Sequence, residues 1–332
     1  MSEFPLDLPL RPRRNRKSAG VRALTRETRL SPDQLILPMF LHDDKNDQAL
    51  ESMPGCTRWS LDGMLREAEG ALEEGVRAVV LFPKVEESNK SRTGEGSFDD
   101  QGLIPRALRR LKKELPELVL ITDVALDPYN SDGHDGILND DGRILNDETV
   151  DVLVKQALMQ AAAGADIISP SDMMDGRVGA IRDGLDFAGH TDVSILAYTA
   201  KYASAFYGPF RGALDSAPKN GDKKTYQMDP ANAREALREL ALDEMEGADM
   251  VMVKPAGPYL DVILRLREGT TLPIAAYQVS GEYLALKAAS AGGWLNEKAA
   301  VLESLTGITR AGADMILTYF ARDAARWLRE DR

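Results

Sequence analysis

Three stretches decide the fold: AGADIISPSD at 163–172, EGADMVMVKP at 246–255 and AGADMILTYF at 311–320. In each, a glycine follows a helical pattern, and then come Ala-Asp, a short apolar run and a polar or reactive residue. Glycine suits the left-handed position that closes a helix. A short unbroken apolar run reads as a strand of a buried parallel sheet. A looser fourth copy is EGVRAVVLFPK at 74–84. Working outward from these, strand-like runs fall at 35–41, 78–85, 118–126, 166–172, 193–201, 249–255, 272–280 and 314–320. Helical patterns separate most of them, such as the one-sided apolar stripe at 150, 153, 154, 157, 158 and 161. Asp229-Pro230 offers an N-cap and a first-turn proline for a helix running to about Gly247. Eight such units predict an α/β fold of the (β/α)8 TIM-barrel type in place of an open doubly wound sheet. No compositional linker divides the chain. The expected organisation is an extended N-terminal arm over 1–30, making subunit contacts, and a single barrel over 31–332.

Composition excludes several classes of function. With 43% apolar and 28% charged residues, the 332-residue chain can build a sizeable core and is not a disordered polymer. A net charge of −12 argues against a partner made of nucleic acid, whose phosphates an acidic surface repels. The basic run from Arg11 to Lys17 is the local exception and reads as a solvated or subunit-clasping arm. No stretch is long and apolar enough for a transmembrane helix. The first residues, MSEFPLDLPL, lack the pattern of a secretory signal, so a cytoplasmic location is expected. Cys56 is the single cysteine and His42, His134 and His190 are the only histidines. Disulfide frameworks and cysteine-cluster metal sites within one chain are therefore excluded. Any catalysis must rest mostly on carboxylates, lysines and hydroxyls.

Barrel active sites gather at the C-terminal ends of the strands. Read in order, those ends supply Asp123 and Asp127, Ser171 and Asp172, Lys201, Lys254, Tyr277 and Ser280, and Tyr319. The two lysines, at the same end of adjacent strands, are the informative pair. A strand-end lysine among apolar residues is desolvated, and a second ammonium nearby lowers its pKa further. Such an amine is nucleophilic at neutral pH and forms Schiff bases with ketones. The long irregular stretches at 86–102, 127–146 and 203–228 are candidates for functional loops. DVALDPYNSDGHDG at 123–136 is rich in aspartate, yet an EF-hand alignment on Gly133 puts Pro128 first and Asn139 twelfth, and fails. Walker A, G-x-S-x-G and H-E-x-x-H motifs are absent, and GEGSFD at 94–99 lacks the third glycine of a dinucleotide fingerprint.

YTAKYASAFYGPFR (198–211), TYQMDPANAREAL (225–237), MVMVKPAGPYLD (250–261), YQVSGEY (277–283) and the 123–136 loop closely resemble the porphobilinogen synthase, or 5-aminolaevulinate dehydratase, family. The similarity runs from about residue 10 to 330. It implies a lyase on a (β/α)8 barrel that condenses two molecules of 5-aminolaevulinate into porphobilinogen, in tetrapyrrole biosynthesis. The arm would wrap a neighbouring subunit of a homo-oligomer, an octamer or alternatively a hexamer. Residue by residue, Lys254 would hold the first substrate and Lys201 the second, each as a Schiff base. Ser280 and Tyr319 would bind the first carboxylate, with Tyr277 beside them, and Arg211, Lys223 and Gln227 the second. Asp123 and Ser171 would surround the first amino group, and 203–228 would form a lid. Lysine at 223, where many members have arginine, offers a point charge instead of a two-pronged fork.

Zinc-dependent members carry three cysteines in the strand-three loop, where this chain has Ala125, Asp127 and Asp135. Thiolates favour zinc, whereas carboxylates favour magnesium, potassium or no metal. The expectation is catalysis without active-site zinc, in which Asp127 and Asp135 supply electrostatic and acid–base help. The resemblance also implies an allosteric magnesium site between subunits, with Glu239 as its ligand. Two rival readings are another Schiff-base aldolase on the same fold and an inactive barrel kept for binding. The second lysine and the basic groups for a second carboxylate argue against both.

Overall fold

The structure, a computed structural model, describes residues 8–214 and 216–330. Residues 1–7 of the expected arm lie outside the described residues. Eight parallel strands form the barrel: β1 Leu35–Leu41, β2 Ala78–Pro83, β3 Val119–Val124, β4 Ile167–Pro170, β5 Ser194–Lys201, β6 Met250–Lys254, β7 Ile274–Gln278 and β8 Met315–Thr318. Each pairs with the next in sequence, and β8 returns to β1 through Leu35 opposite Ile316 and Ile36 opposite Leu317. Closure removes the free edges that an open sheet would expose. The strands are apolar along almost their whole length because both faces are covered: β1 is buried at every position.

Helices follow the strands as the sequence pattern predicts, with one displaced start. The stripe at 150–161 lies in the helix Asn146–Ala163, closed by Gly164 in the left-handed conformation (φ 109°). The helix expected from Pro230 begins at Glu235 instead. The Asp229 carboxylate accepts the Ala231 N–H and the Asp229 carbonyl accepts the Asn232 N–H, closing an isolated turn that the chain leaves before the helix starts. The loop at 127–146 holds a two-stranded hairpin, Ile137–Leu138 with Ile144–Leu145. That at 203–228 holds the short helix Gly208–Leu214. Residues 8–30 bury almost nothing: neither the turn Pro12–Arg16 nor the helix Ala19–Leu24 has a buried residue, and Leu10 and Leu24 are exposed. Among the described residues, no helix is long and apolar enough to cross a membrane.

Candidate active site

The register of two strands creates the site. β5 and β6 end side by side with Lys201 opposite Lys254, so both amines enter the barrel mouth from neighbouring strands. Both are buried. Lys201 Nζ donates to the Ser171 carbonyl and lies 3.6 Å from Asp135 Oδ1. Lys254 has different company: its Nζ sits 4.7 Å from the centre of the Tyr277 ring and 5.2 Å from those of Tyr198, Tyr207 and Phe210. Aromatic faces attract a cation but replace only part of its lost hydration. Burial, and then the charge on Lys201, push the Lys254 pKa down to about 7. A substantial fraction of this amine is therefore neutral and nucleophilic near neutrality.

The strand-three loop faces the lysines with three aspartates, and Asp123 and Asp135 are pushed in opposite directions. Burial, followed by the neighbouring Asp127 charge, lifts the Asp123 pKa to about 7. Burial also opposes ionisation of Asp135, yet Lys201 and Lys223 together hold its pKa below the ordinary aspartate value. Lys223 Nζ lies 3.1 Å from Asp135 Oδ2 and 3.4 Å from Asp127 Oδ2. One carboxyl is thus poised to exchange a proton near neutrality while a neighbour remains an anion between two ammoniums. Pairs pushed apart in this way divide acid–base work from electrostatic work.

Asp123, Asp127, Asp135, Ser171, Lys201, Arg211, Lys223, Gln227 and Lys254 line one cavity, closed over by Tyr207, Phe210 and Leu214 of the 203–228 segment. Its volume is about 30 Å³, the room of a few waters and far less than a keto acid needs. Tyr277, Ser280 and Tyr319 do not line that space. Tyr277 and Tyr319 share a hydroxyl–hydroxyl hydrogen bond of 2.9 Å. Ser280 Oγ accepts the Phe210 N–H at 3.1 Å and donates to the Phe206 carbonyl at 3.3 Å, so it holds the closing segment down. Glu239 lies apart, in a groove of about 880 Å³ that it shares with Asp175, Glu235, Arg234, Arg238 and Arg265.

Several supporting residues carried no sequence signal of their own. Gln160 and Gln156 donate from a buried helix face to the Asp123 carbonyl at 3.0 Å and the Ala125 carbonyl at 3.4 Å, fixing the end of β3. His134 Nε2 donates to the Asn220 carbonyl at 2.9 Å, which leaves Nδ1 to accept from the Tyr226 hydroxyl at 3.0 Å. The same hydroxyl accepts the Asp135 N–H at 3.3 Å. Gly133 has φ 74°, and a Cβ there would collide with the Ala217 carbonyl, so glycine lets the closing segment lie against the loop.

A zinc ion does not fit this donor set. The Ala125 side chain offers no metal-ligating atom, and Asp127 and Asp135 are already engaged by Lys223. The Cys56 thiol lies beside Tyr283, outside the cavity lining, with its pKa pushed up to about 12 by burial. Among the described residues, no three histidine, cysteine or acidic side chains are grouped to hold a metal ion.

Comparison with known proteins agrees with this architecture. The profile of the family described as delta-aminolevulinic acid dehydratase matches residues 9–327. The chloroplastic delta-aminolevulinic acid dehydratase of Physcomitrium patens is 62% identical over 330 residues, 99% of this chain and 76% of that protein. Its namesake in Oryza sativa subsp. japonica is 59% identical, covering 98% of this chain and 76% of that protein. A crystal structure of delta-aminolevulinic acid dehydratase (porphobilinogen synthase) from Toxoplasma gondii ME49, in complex with the reaction product porphobilinogen, superposes with a TM-score of 0.97 at 54% identity, covering 98% of this chain and 94% of that one. The names of the plant relatives overturn the cytoplasmic expectation: they are chloroplastic, which points to a plastid. On the matched profile, the identities and the shared barrel, the chain belongs to the delta-aminolevulinic acid dehydratase family.

Proposed function

We propose that this protein is a porphobilinogen synthase that condenses two molecules of 5-aminolaevulinate, with loss of two waters, through Schiff bases on Lys254 and Lys201 and without active-site zinc. The observation that carries the reading is the side-by-side burial of two lysines, one of them with a pKa near 7. Neutral Lys254 attacks the first ketone, and the carbinolamine expels water to give the Schiff base. Asp123, with a pKa near that of the amine, is suited to donate and recover the proton for that loss of water. Lys201 holds the second ketone in the same way, steadied by the anion of Asp135. Fixing both ketones in one mouth makes a bimolecular condensation effectively unimolecular. Ring formation then releases both lysines as free amines.

The 203–228 segment acts as a lid. Two substrates cannot enter a space of about 30 Å³, so the lid opens for binding and closes to exclude water. Arg211, Lys223 and Gln227 come from this segment, so recognition of the second carboxylate is coupled to closure. On the first side, opening frees the Ser280 hydroxyl for the carboxylate, next to Tyr277 and Tyr319. Burial raises the pKa of Tyr319 well above the ordinary tyrosine value, and it stays a neutral donor. Magnesium keeps most of its waters and needs only one or two carboxylates. Glu239 and Asp175 on one groove wall suit such an ion, which would add positive charge there. The N-terminal arm would clasp a second copy of the chain.

The test is porphobilinogen formation, read by its colour reaction, in the presence of a zinc-selective chelator such as phenanthroline. Product should form at an undiminished rate. A large loss restored by zinc would sink the zinc-free claim, and no product at all would sink the assignment.

A further inference from the structure

The geometry points to Glu282 as a positioning residue that sets the length of keto acid accepted at Lys254, because its carboxylate binds the ends of β6 and β7 to each other. This rests on the reading in which Lys254 takes the ketone and Ser280 the carboxylate of the same substrate. Lys254 ends β6, and Ser280 stands two residues beyond β7. No direct hydrogen bond joins those two side chains among the described residues, so their spacing depends on the loops that follow the strands. Glu282 spans them. Its Oε1 accepts the Gly257 N–H at 2.7 Å, and its Oε2 accepts the Val279 N–H at 2.8 Å and the Ala256 N–H at 3.4 Å. Two donors come from the β6 side and one from the β7 side. Burial lifts the Glu282 pKa to about 7, against the three backbone N–H donors, which favour its ionised form.

Gly257 makes the close approach possible, since a Cβ there would stand 2.6 Å from Glu282 Oε1. The β6 side is also held by the Tyr202 N–H, which the Lys254 carbonyl accepts at 3.0 Å, and in the closed state by the Tyr207 hydroxyl at 3.1 Å. The adjustable distance is therefore the one that Glu282 closes. A substrate with its ketone at carbon 4 carries two methylenes between carboxylate and carbonyl, and a fixed span between hydroxyl and amine selects that number. Glu282 touches neither reacting atom nor substrate and acts through the two residues that do.

The experiment incubates the full-length protein with 4-oxopentanoate, 5-oxohexanoate or 6-oxoheptanoate and cyanoborohydride, which reduces the C=N bond to a stable secondary amine. Peptide mass then gives the trapping rate at Lys254. The wild type should prefer the 4-oxo acid by about tenfold or more per added methylene, as expected for a shaped pocket. Glu282→Gln keeps the volume but loses one acceptor and faces an N–H with its own amide. Gly257→Ala keeps the carboxylate but pushes it away. Both should trap 4-oxopentanoate while narrowing the preference at least fivefold, a change in selectivity that a general loss of stability would not produce. If Glu282→Gln does not fold, Gly257→Ala decides. An unchanged preference in the folded variant overturns the inference and leaves Lys254 as the nucleophile. No adduct at Lys254 in the wild type overturns the underlying reading as well.

Discussion

Lys254 draws its reactivity from what surrounds it. A cage of four aromatic rings desolvates the ammonium, and Lys201 at the end of the adjacent strand adds a like charge. The sign of each influence can be checked. Because Lys201 depresses the Lys254 pKa, Lys201→Met should raise it. Trapping of 5-aminolaevulinate at Lys254 requires the neutral amine, so in the wild type it should rise as pH increases through about 7. In Lys201→Met the midpoint should move to higher pH, and a midpoint unmoved or moved down would refute the coupling. Both lysines were legible in the sequence because each ends an apolar run of known period. Their differing surroundings were not. The rings of Tyr207 and Phe210 arrive from the 203–228 segment, and no spacing rule says where a long irregular stretch folds back.

The closing segment and the strand-three loop behave as one unit. Contacts join them from residue to residue: the Lys219 N–H donates to the Asp132 carbonyl, His134 reaches Asn220, Tyr226 bridges His134 and Asp135, and Lys223 spans Asp127 and Asp135. These partners lie far apart in sequence, so only the loop's aspartates and the segment's basic residues were legible beforehand, as separate motifs. Tyr226 is the informative position. Removing its hydroxyl leaves the His134 Nδ1 and the Asp135 N–H without a partner, a cost of about 1–3 kcal/mol for buried groups. Tyr226→Phe should therefore lower kcat/KM for 5-aminolaevulinate by about tenfold or more, mainly through KM, because in the proposed mechanism the closed lid holds the second carboxylate. Steady-state kinetics check this, and a loss confined to kcat would place Tyr226 in the chemistry instead. The helix expected from Pro230 went astray for a related reason: Asp229 satisfies its capping preference within one turn, which the sequence cannot distinguish from the start of a helix.

On the scale of the molecule, the closed ring of eight strands turns scattered strand-end residues into a single mouth. That much was readable because Gly-Ala-Asp followed by an apolar run recurs before β4, β6 and β8, at every second β/α unit. The arm is a different matter. Residues 8–30 bury almost nothing against the barrel and leave Leu10 and Leu24 exposed, which suits a surface completed by a second copy. Deleting residues 1–30 should leave the barrel's thermal midpoint nearly unchanged while sedimentation shows smaller assemblies. Assemblies of unaltered size would show that the arm is dispensable for association. The scarcity of cysteine likewise acquires a structural meaning: where zinc-dependent relatives are expected to use thiols, this cavity sets two aspartates against lysines, and its chemistry falls to amines and carboxylates. The most direct test of that chemistry is to reduce the protein with borohydride in the presence of 5-aminolaevulinate and map the adducts by peptide mass. Adducts on both Lys254 and Lys201 are predicted; the absence of an adduct from either lysine would contradict the double Schiff-base account.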